Sequence, residues 1–426
     1  MGRNNRAVHP NALLDLAADL LREVLAFRAP ADGVVAAFFG RHRALGARER
    51  HALAETVYAV LRRRLLWQHL ARGGPGTLTR RLAALAWQGE APMLQRALSP
   101  AESAWLAQAA AIDRAALAPE PRHNLPDWLA GALQERLGHD EFCSLAEGLL
   151  EPAPLDLRVN TLKARREEVQ AALAEAGIGS EATPWSPWGL RVQGKPALGR
   201  LAAFERGEFE VQDEGSQLLA LLVDPKRGEM VVDFCAGAGG KTLALGAAMR
   251  NTGRLYAFDT SGHRLHALEP RLARSGLSNV HPAQLMQGRD ERLERLAGKI
   301  DRVLVDAPCS GLGTLRRNPD LKWRQSLQSV EELRRGQSAI LERAARLLGA
   351  GGRLVYATCS PLAAENESIA GAFSTAHPEF EPLPAARALA AARVPGAEAL
   401  AEGPYLRLWP HRHGTDAFFG AAWMRR

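Results

Sequence analysis

A chain of 426 residues, 46% of them apolar, is too long for one hydrophobic core and too apolar for a disordered polymer, so two or three packed domains are expected. Secretion, membrane insertion and a cysteine-held metal or disulfide framework are all disfavoured. Asp15 and Asp19 interrupt the first apolar stretch, no apolar run approaches the roughly 20 residues that cross a bilayer, and Cys143, Cys235, Cys309 and Cys359 form no CxxC pair. The charge of +7 lies at one end: residues 1–122 hold 17 Lys and Arg against 10 Asp and Glu, and the remainder carries 37 of each sign. A soluble cytoplasmic protein with a polyanionic partner, nucleic acid above all, is the expectation, although an arginine-rich proteome produces the same bias.

From Asn11 to about Gln68 apolar residues recur at three- and four-residue spacings (Leu13, Leu14, Ala17, Leu20, Leu21, Val24, Leu25), the period of helices packed on one another. GGPGT at 73–77 is a loop, helical pattern resumes to about Leu117, and APEPRHNLP (118–126) reads as a linker. DWLAGALQERLG and EFCSLAEGLL then form two short amphipathic helices. Near Leu155 the texture changes. LDLRVN (155–160) is a strand, ARREEVQAALAEAG a helix, and short strands are predicted near 190–192 and 209–211, a small α+β module. From Met230 strands and helices alternate: MVVDFC, a glycine turn, a helix to about Met249, RLYAFD, a helix over 263–274, a strand over 280–285, DRVLVDAP, a long helix within 327–348, and GRLVYATC. Such alternation with nearly continuous apolar strands predicts an α/β fold with a parallel sheet covered on both faces, its ligands at the carboxyl ends of the strands. The expected division is 1–118, 119–210 and 211–426.

Three motifs carry chemistry. DFCAGAGGKT (233–242) leaves a buried strand and opens a helix, so Gly237, Gly239 and Gly240 let backbone amides approach a ligand at the helix N-terminus. The GxxxxGK[ST] spacing of a phosphate loop is absent. Asp259, ending the next strand, fits the acidic residue that binds ribose hydroxyls in doubly wound folds, or else a capping or solvated aspartate. VDAPCSGLG (305–313) and VYATCSP (355–361) each put a cysteine just past an apolar strand, where side chains meet the ligand crevice. An isolated cysteine is ordinarily a buried small hydrophobe. Two at one crevice without metal spacing point to nucleophilic thiolate chemistry.

CAGAGGK, DAPCSGLGTLRRNPDLKW, YATCSP and the closing HGTDAFF together resemble the RsmB/Sun (Fmu) family of RNA cytosine-C5 methyltransferases, from about Asn124 to the C-terminus and including LPDWL and LRVNTLK. The resemblance implies a Rossmann-like class I methyltransferase domain, preceded by a small RNA-recognition-like α+β module and an N-terminal all-helical domain similar to NusB. It implies S-adenosylmethionine as cofactor. It implies Cys359 as the nucleophile and Cys309 as the group assisting product release. Cys235, Ala236, Gly237, Ala238, Gly239, Gly240 and Lys241, with Asp259 and Asp306, would form the cofactor site. Where the family usually reads CAAPGGK, this chain carries Gly237 and Ala238, keeping the side chains small and giving up the rigidity of proline. The acidic residue after the third strand falls at Asp290, slightly displaced, or is replaced by Gln287.

The implied chemistry accounts for these residue types. C5 of cytosine is a poor nucleophile until a thiolate adds at C6, after which it takes a sulfonium methyl, and a base must then remove the C5 proton so that the thiolate leaves. The target base must be splayed from its stack. Lys241 would stabilise a thiolate, or is an ordinary solvated side chain. LRRNPDLKWR (315–324) interleaves Arg316, Arg317, Lys322 and Arg324 with Trp323, suited to phosphates and a stacked base or else to a loop with one packed tryptophan. The expected partner is RNA, ribosomal ahead of transfer RNA, with no membrane and no metal, and a monomer is expected. A noncatalytic RNA-binding assembly factor on the same scaffold is the rival, disfavoured by the retention of both cysteines and the glycine loop.

Overall fold

The computed structural model describes residues 9–286, 288 and 290–426. Leu and Ala at helical spacing form helices Pro10–Val24, Ala31–Arg41, Ala47–Arg62 and Arg64–Leu70. Past the turn at 73–77 come Leu78–Leu85, Ala91–Ala97 and Pro100–Ala110. Their apolar stripes close over Leu14, Leu21, Phe38, Leu53, Val60 and Leu82, all essentially without solvent contact, each contributing about 1.5–3 kcal/mol by burial. Ser99 and Glu102 cap the Pro100 helix reciprocally, and Glu102 also accepts from Arg80 Nε at 2.6 Å.

The stretch 118–126 is not a free linker. Pro119 begins a short helix, Pro119–His123, because proline's missing N–H and fixed φ suit a first helical turn. Asn124 ends it with φ of 53° and is fully buried, accepting from Leu66 N at 3.1 Å and donating to Pro121 O at 2.7 Å. Helices Asp127–Leu137 and His139–Gly148 follow. The chain forms two compact units, divided otherwise than at 118 and 210: the helical one runs to Pro152 and includes Leu315–Ser326, and the other comprises Ala153–Thr314 and Leu327–Arg426.

In the second unit, β1 (Leu155–Val159), β2 (Ser180–Ala182), β3 (Gly189–Val192) and β4 (Phe209–Val211) form an antiparallel sheet in the order β2-β3-β1-β4, with helix Arg166–Glu175 beside it. Strands β5 (Met230–Asp233), β6 (Arg254–Asp259), β7 (Val280–Gln284), β8 (Ile300–Asp306) and β9 (Leu348–Thr358) pair in parallel in the order β7-β6-β5-β8-β9. Successive residues face opposite cores. Val231, Ala257, Leu304 and Val355 enter one, while Val232, Phe258, Val303, Val305, Leu354 and Tyr356 enter the other. That two-sided burial is why the strands read as unbroken apolar runs.

The alternation of strands and helices predicts a parallel sheet, but the sheet is parallel only in part. β10 (Phe380–Pro382), β11 (Ala401–Glu402), β12 (Tyr405–Leu408) and β13 (Phe418–Arg425) extend it antiparallel, β13 pairing with β9 from Phe419↔Thr358 to Met424↔Arg353. The link from Leu408 to Phe418 is shorter than the dozen or so residues a parallel crossover requires. Among the described residues no helix is long and apolar enough to cross a membrane, and no group of His, Cys, Asp and Glu is placed to hold a metal.

Candidate active site

The turn after β5 is built on backbone conformations that side chains resist. Gly237 has φ of 55° and Gly239 φ of 82°, the left-handed region in which glycine is unstrained. A Cβ on Gly239 would strike Leu268 Cδ1 at 2.1 Å, whereas one on Gly237 would meet nothing within 4 Å, which leaves an open cradle. Asp259, at the end of β6, fastens the turn: its Oδ2 accepts from Gly237 N at 2.9 Å and its Oδ1 from Ser261 N at 2.7 Å. Arg271 holds the far side, donating to Ala238 O at 2.6 Å and pairing with Glu210 of β4 at 3.0 Å.

Helix Gly240–Ala248 then presents Lys241, whose Nζ lies 2.6 Å from Asp306 Oδ2. Burial works against the lysine's charge, but the Asp306 carboxylate and its hydrogen bond more than offset it and hold the pKa above the usual lysine range. Beneath them Asp233 is buried. Its Oδ2 accepts from Thr242 Oγ1 at 2.7 Å and its Oδ1 has no partner. Burial pushes its carboxyl up to about 7 despite that hydrogen bond.

β8 and β9 are parallel neighbours with Asp306 opposite Ala357, so the loops leaving them emerge side by side. Cys309 and Cys359, on those loops, bring their sulfurs to 3.4 Å. The Cys309 thiol is pushed well up, first by its hydrogen bond to Cys359 and then by burial. Cys235, in the glycine turn, is also pushed up, mainly by burial. A cavity of about 620 Å³ opens at these strand ends, with Cys235, Gly237, Lys241, Asp306, Cys309 and Cys359 among its walls.

Other expected residues lie elsewhere. Asp259 is buried behind the turn rather than lining the cavity. Asp290 caps helix Glu291–Leu296, and its carboxylate is held well below the ordinary range, chiefly by its hydrogen bond to Arg292. Asp290 is not among the cavity walls, and its carboxylate also accepts from Met286 N and Arg292 Nε. Gln287 lies outside the described residues. LRRNPDLKWR is no base platform: Trp323 packs against the helical core with its Nε1 donating to Leu61 O at 2.9 Å, and Lys322 is buried, donating to Arg62 O at 2.9 Å.

Sequence reasoning missed Gln212 and Ser216 of the cavity wall, joined at 3.0 Å and tied to buried Arg158 at 2.6 Å. Nothing local marks them. It also passed over Asp233, although an acid ending an apolar strand just before a glycine turn was a usable signal. The assembled site can hold a polar ligand in the glycine cradle and present a thiol, backed by a second thiol and a cation, to an electrophilic carbon.

The model of the 16S rRNA methyltransferase RsmB/F family matches residues 220–424, and that of the RsmF/B-like ferredoxin-like domain matches residues 125–198. The chain is 35% identical to a probable ribosomal RNA small subunit methyltransferase B of Synechocystis over 72% of its own length and 68% of the relative's. For a protein of the same description from Bacillus subtilis the figures are 34%, 71% and 66%, so the chain spans about two thirds of these relatives. The crystal structure of PH0851 matches 98% of this chain and 99% of its own, with a TM-score of 0.78 and 27% identity.

Proposed function

Because this chain belongs to the RsmB/F family of 16S rRNA methyltransferases, we propose that it methylates C5 of a cytosine in small-subunit ribosomal RNA, with Cys359 as the nucleophile and Cys309 as the group that releases the product. The observation that carries this reading is the pair of thiols 3.4 Å apart beside Lys241 at the cavity.

S-adenosylmethionine fits the cavity: the Gly237 cradle is open, and buried Asp233 Oδ1 lacks a partner. Cys235–Lys241 and Asp306 would hold it, with Asp259 acting through the turn it fastens. When bound it supplies a methyl group on a sulfonium sulfur. The protein's own work is on cytosine. The upward shift of Cys309 keeps a proton on that sulfur, which lies 3.4 Å from the attacking sulfur of Cys359. The Lys241 cation interacts electrostatically with it. Cys359 Sγ bonds to C6, and the electrons of the C5=C6 bond make C5 nucleophilic. After methylation the C5 proton leaves to a base, the C5=C6 bond re-forms and the Sγ–C6 bond breaks. The 3.4 Å approach of Cys309 to Cys359 supports a part for its thiol in that elimination, with the C5 proton going to a separate base.

Incubating Cys309→Ala with substrate RNA and S-adenosylmethionine should give a protein–RNA adduct that survives denaturing electrophoresis and disappears in the Cys309→Ala/Cys359→Ser double variant. Free methylated RNA at a near-normal rate, without an adduct, would remove Cys309 from the mechanism. Bisulfite sequencing of ribosomal and transfer RNA from a deletion strain identifies the substrate class.

A further inference from the structure

Both cysteine loops continue into a serine, Ser310 after Cys309 and Ser360 after Cys359. Both serines converge on one carboxylate, Glu365, which is fully buried. Glu365 Oε2 accepts from Ser310 Oγ at 2.6 Å and from Ser360 Oγ, and its Oε1 accepts from Ser310 N at 2.8 Å and Gln337 Nε2 at 2.9 Å. The same Gln337 amide donates to Pro308 O at 3.0 Å, one residue before Cys309. The turn Ala363–Glu365 is pinned to β9 by Tyr356, whose hydroxyl donates to Glu365 O at 2.6 Å. Asn366 completes the grip, accepting from Thr358 Oγ1 and donating to Ser360 O at 2.8 Å. All four groups bonded to the carboxylate are neutral donors. A buried carboxylate held only by neutral donors is an unfavourable way merely to stabilise a loop.

We propose that Glu365 is a positioning residue: one carboxylate, bonded to both serines, sets the separation of the two cysteine loops and keeps the sulfurs in contact. It touches neither substrate nor cofactor. This inference rests on the proposed roles of Cys309 and Cys359. A glutamine at 365 would place an NH2 group where donors already point, so the loops lose part of their shared anchor and the sulfurs move apart. An aspartate keeps the acceptors on a shorter stem.

The test uses the full chain. In Glu365→Gln, kcat for RNA methylation should fall on the order of 100-fold, as displacement of reacting groups by about 1 Å does, with KM for RNA and for S-adenosylmethionine unchanged. Glu365→Asp should recover part of the rate. An independent readout needs no turnover. Phenylarsine oxide takes two nearby thiols with its oxygen leaving as water, so the wild type should bind it through Cys309 and Cys359, Cys359→Ser should not, and Glu365→Gln should bind it far more weakly. Wild-type kcat and wild-type arsenical capture in Glu365→Gln would overturn the proposal. If Glu365→Gln does not fold, Ser310→Ala and Ser360→Ala decide in the same way, each removing one hydroxyl. If the wild type forms no 5-methylcytosine while Glu365→Gln still loses arsenical capture, the clamp stands and the proposed reaction fails.

Discussion

Gly313 shows how little room surrounds the nucleophile. Its N–H donates to Cys359 O at 2.8 Å, and a Cβ there would lie 2.2 Å from Ala417 O and 2.7 Å from Cys359 O, both rigid backbone atoms. Gly313→Ala should therefore displace the Cys359 loop and lower kcat by on the order of 100-fold while S-adenosylmethionine affinity, measured by calorimetry, stays near wild type. Cys359→Ser removes a thiolate and almost no volume, so the variant should fold and bind cofactor but show no methyl transfer. Turnover at the wild-type rate would exclude Cys359 as nucleophile. Both cysteines were legible in the sequence because strand ends are marked by apolar runs, and strand ends line the crevice. Glu365 was not, since its importance comes from Ser310 and Gln337, brought to it from distant parts of the chain. Asp290 caps helix Glu291–Leu296, and in sequence an acid near the end of a strand looks alike whether it faces a ligand or caps the next helix.

At the scale of elements, the parallel core was readable from alternating apolar strands and amphipathic helices, down to the glycine turn. The antiparallel extension was not: β10, β11 and β12 are two to four residues long, too short to show a period, and β13 is buried along most of its length. For the segment 315–324 the sequence left a base platform and a packed tryptophan both open, since composition alone does not say which way a side chain faces, and Trp323 packs against the helical core. Its Lys322 has a testable cost. Burial, aided by Arg62 and Arg63, lowers its pKa to about 7, whereas the unfolded chain keeps the ordinary value near 10.5. Between those values the unfolded state binds the extra proton, so stability should rise as pH climbs from about 7 toward 10, and below 7 the full penalty applies. Lys322→Met should flatten this pH dependence of Tm and raise Tm at pH 6 relative to wild type. Identical pH profiles for the two proteins would place the proton elsewhere.

Across the whole molecule, the basic surplus of the N-terminal residues does not all face solvent. Arg62 and Arg64 are half-buried, and Arg80 is engaged by Asp15 and Glu102, which leaves Arg43, Arg48 and Arg96 among the exposed cations. Reversing those three to glutamate in the full chain should weaken RNA binding and flatten its salt dependence, by about 0.7–0.9 in the log–log slope for each phosphate no longer neutralised, with cofactor affinity unchanged. An unaltered slope would make the surplus incidental. Truncation at 118 is a poor substitute, because helices Asp127–Leu137 and His139–Gly148 and the segment Leu315–Ser326 belong to the same compact unit. That membership also bears on biosynthesis. Trp323 and Lys322 reach the ribosome's exit only after most of the β-sheet strands have been made, so the helical unit, although first in the sequence, completes its packing late. At about 5–20 residues per second its helices wait roughly nine to thirty-five seconds between the synthesis of Pro152 and that of Ser326. During that interval the surface later covered by Trp323 stands open to the nascent chain's other partners.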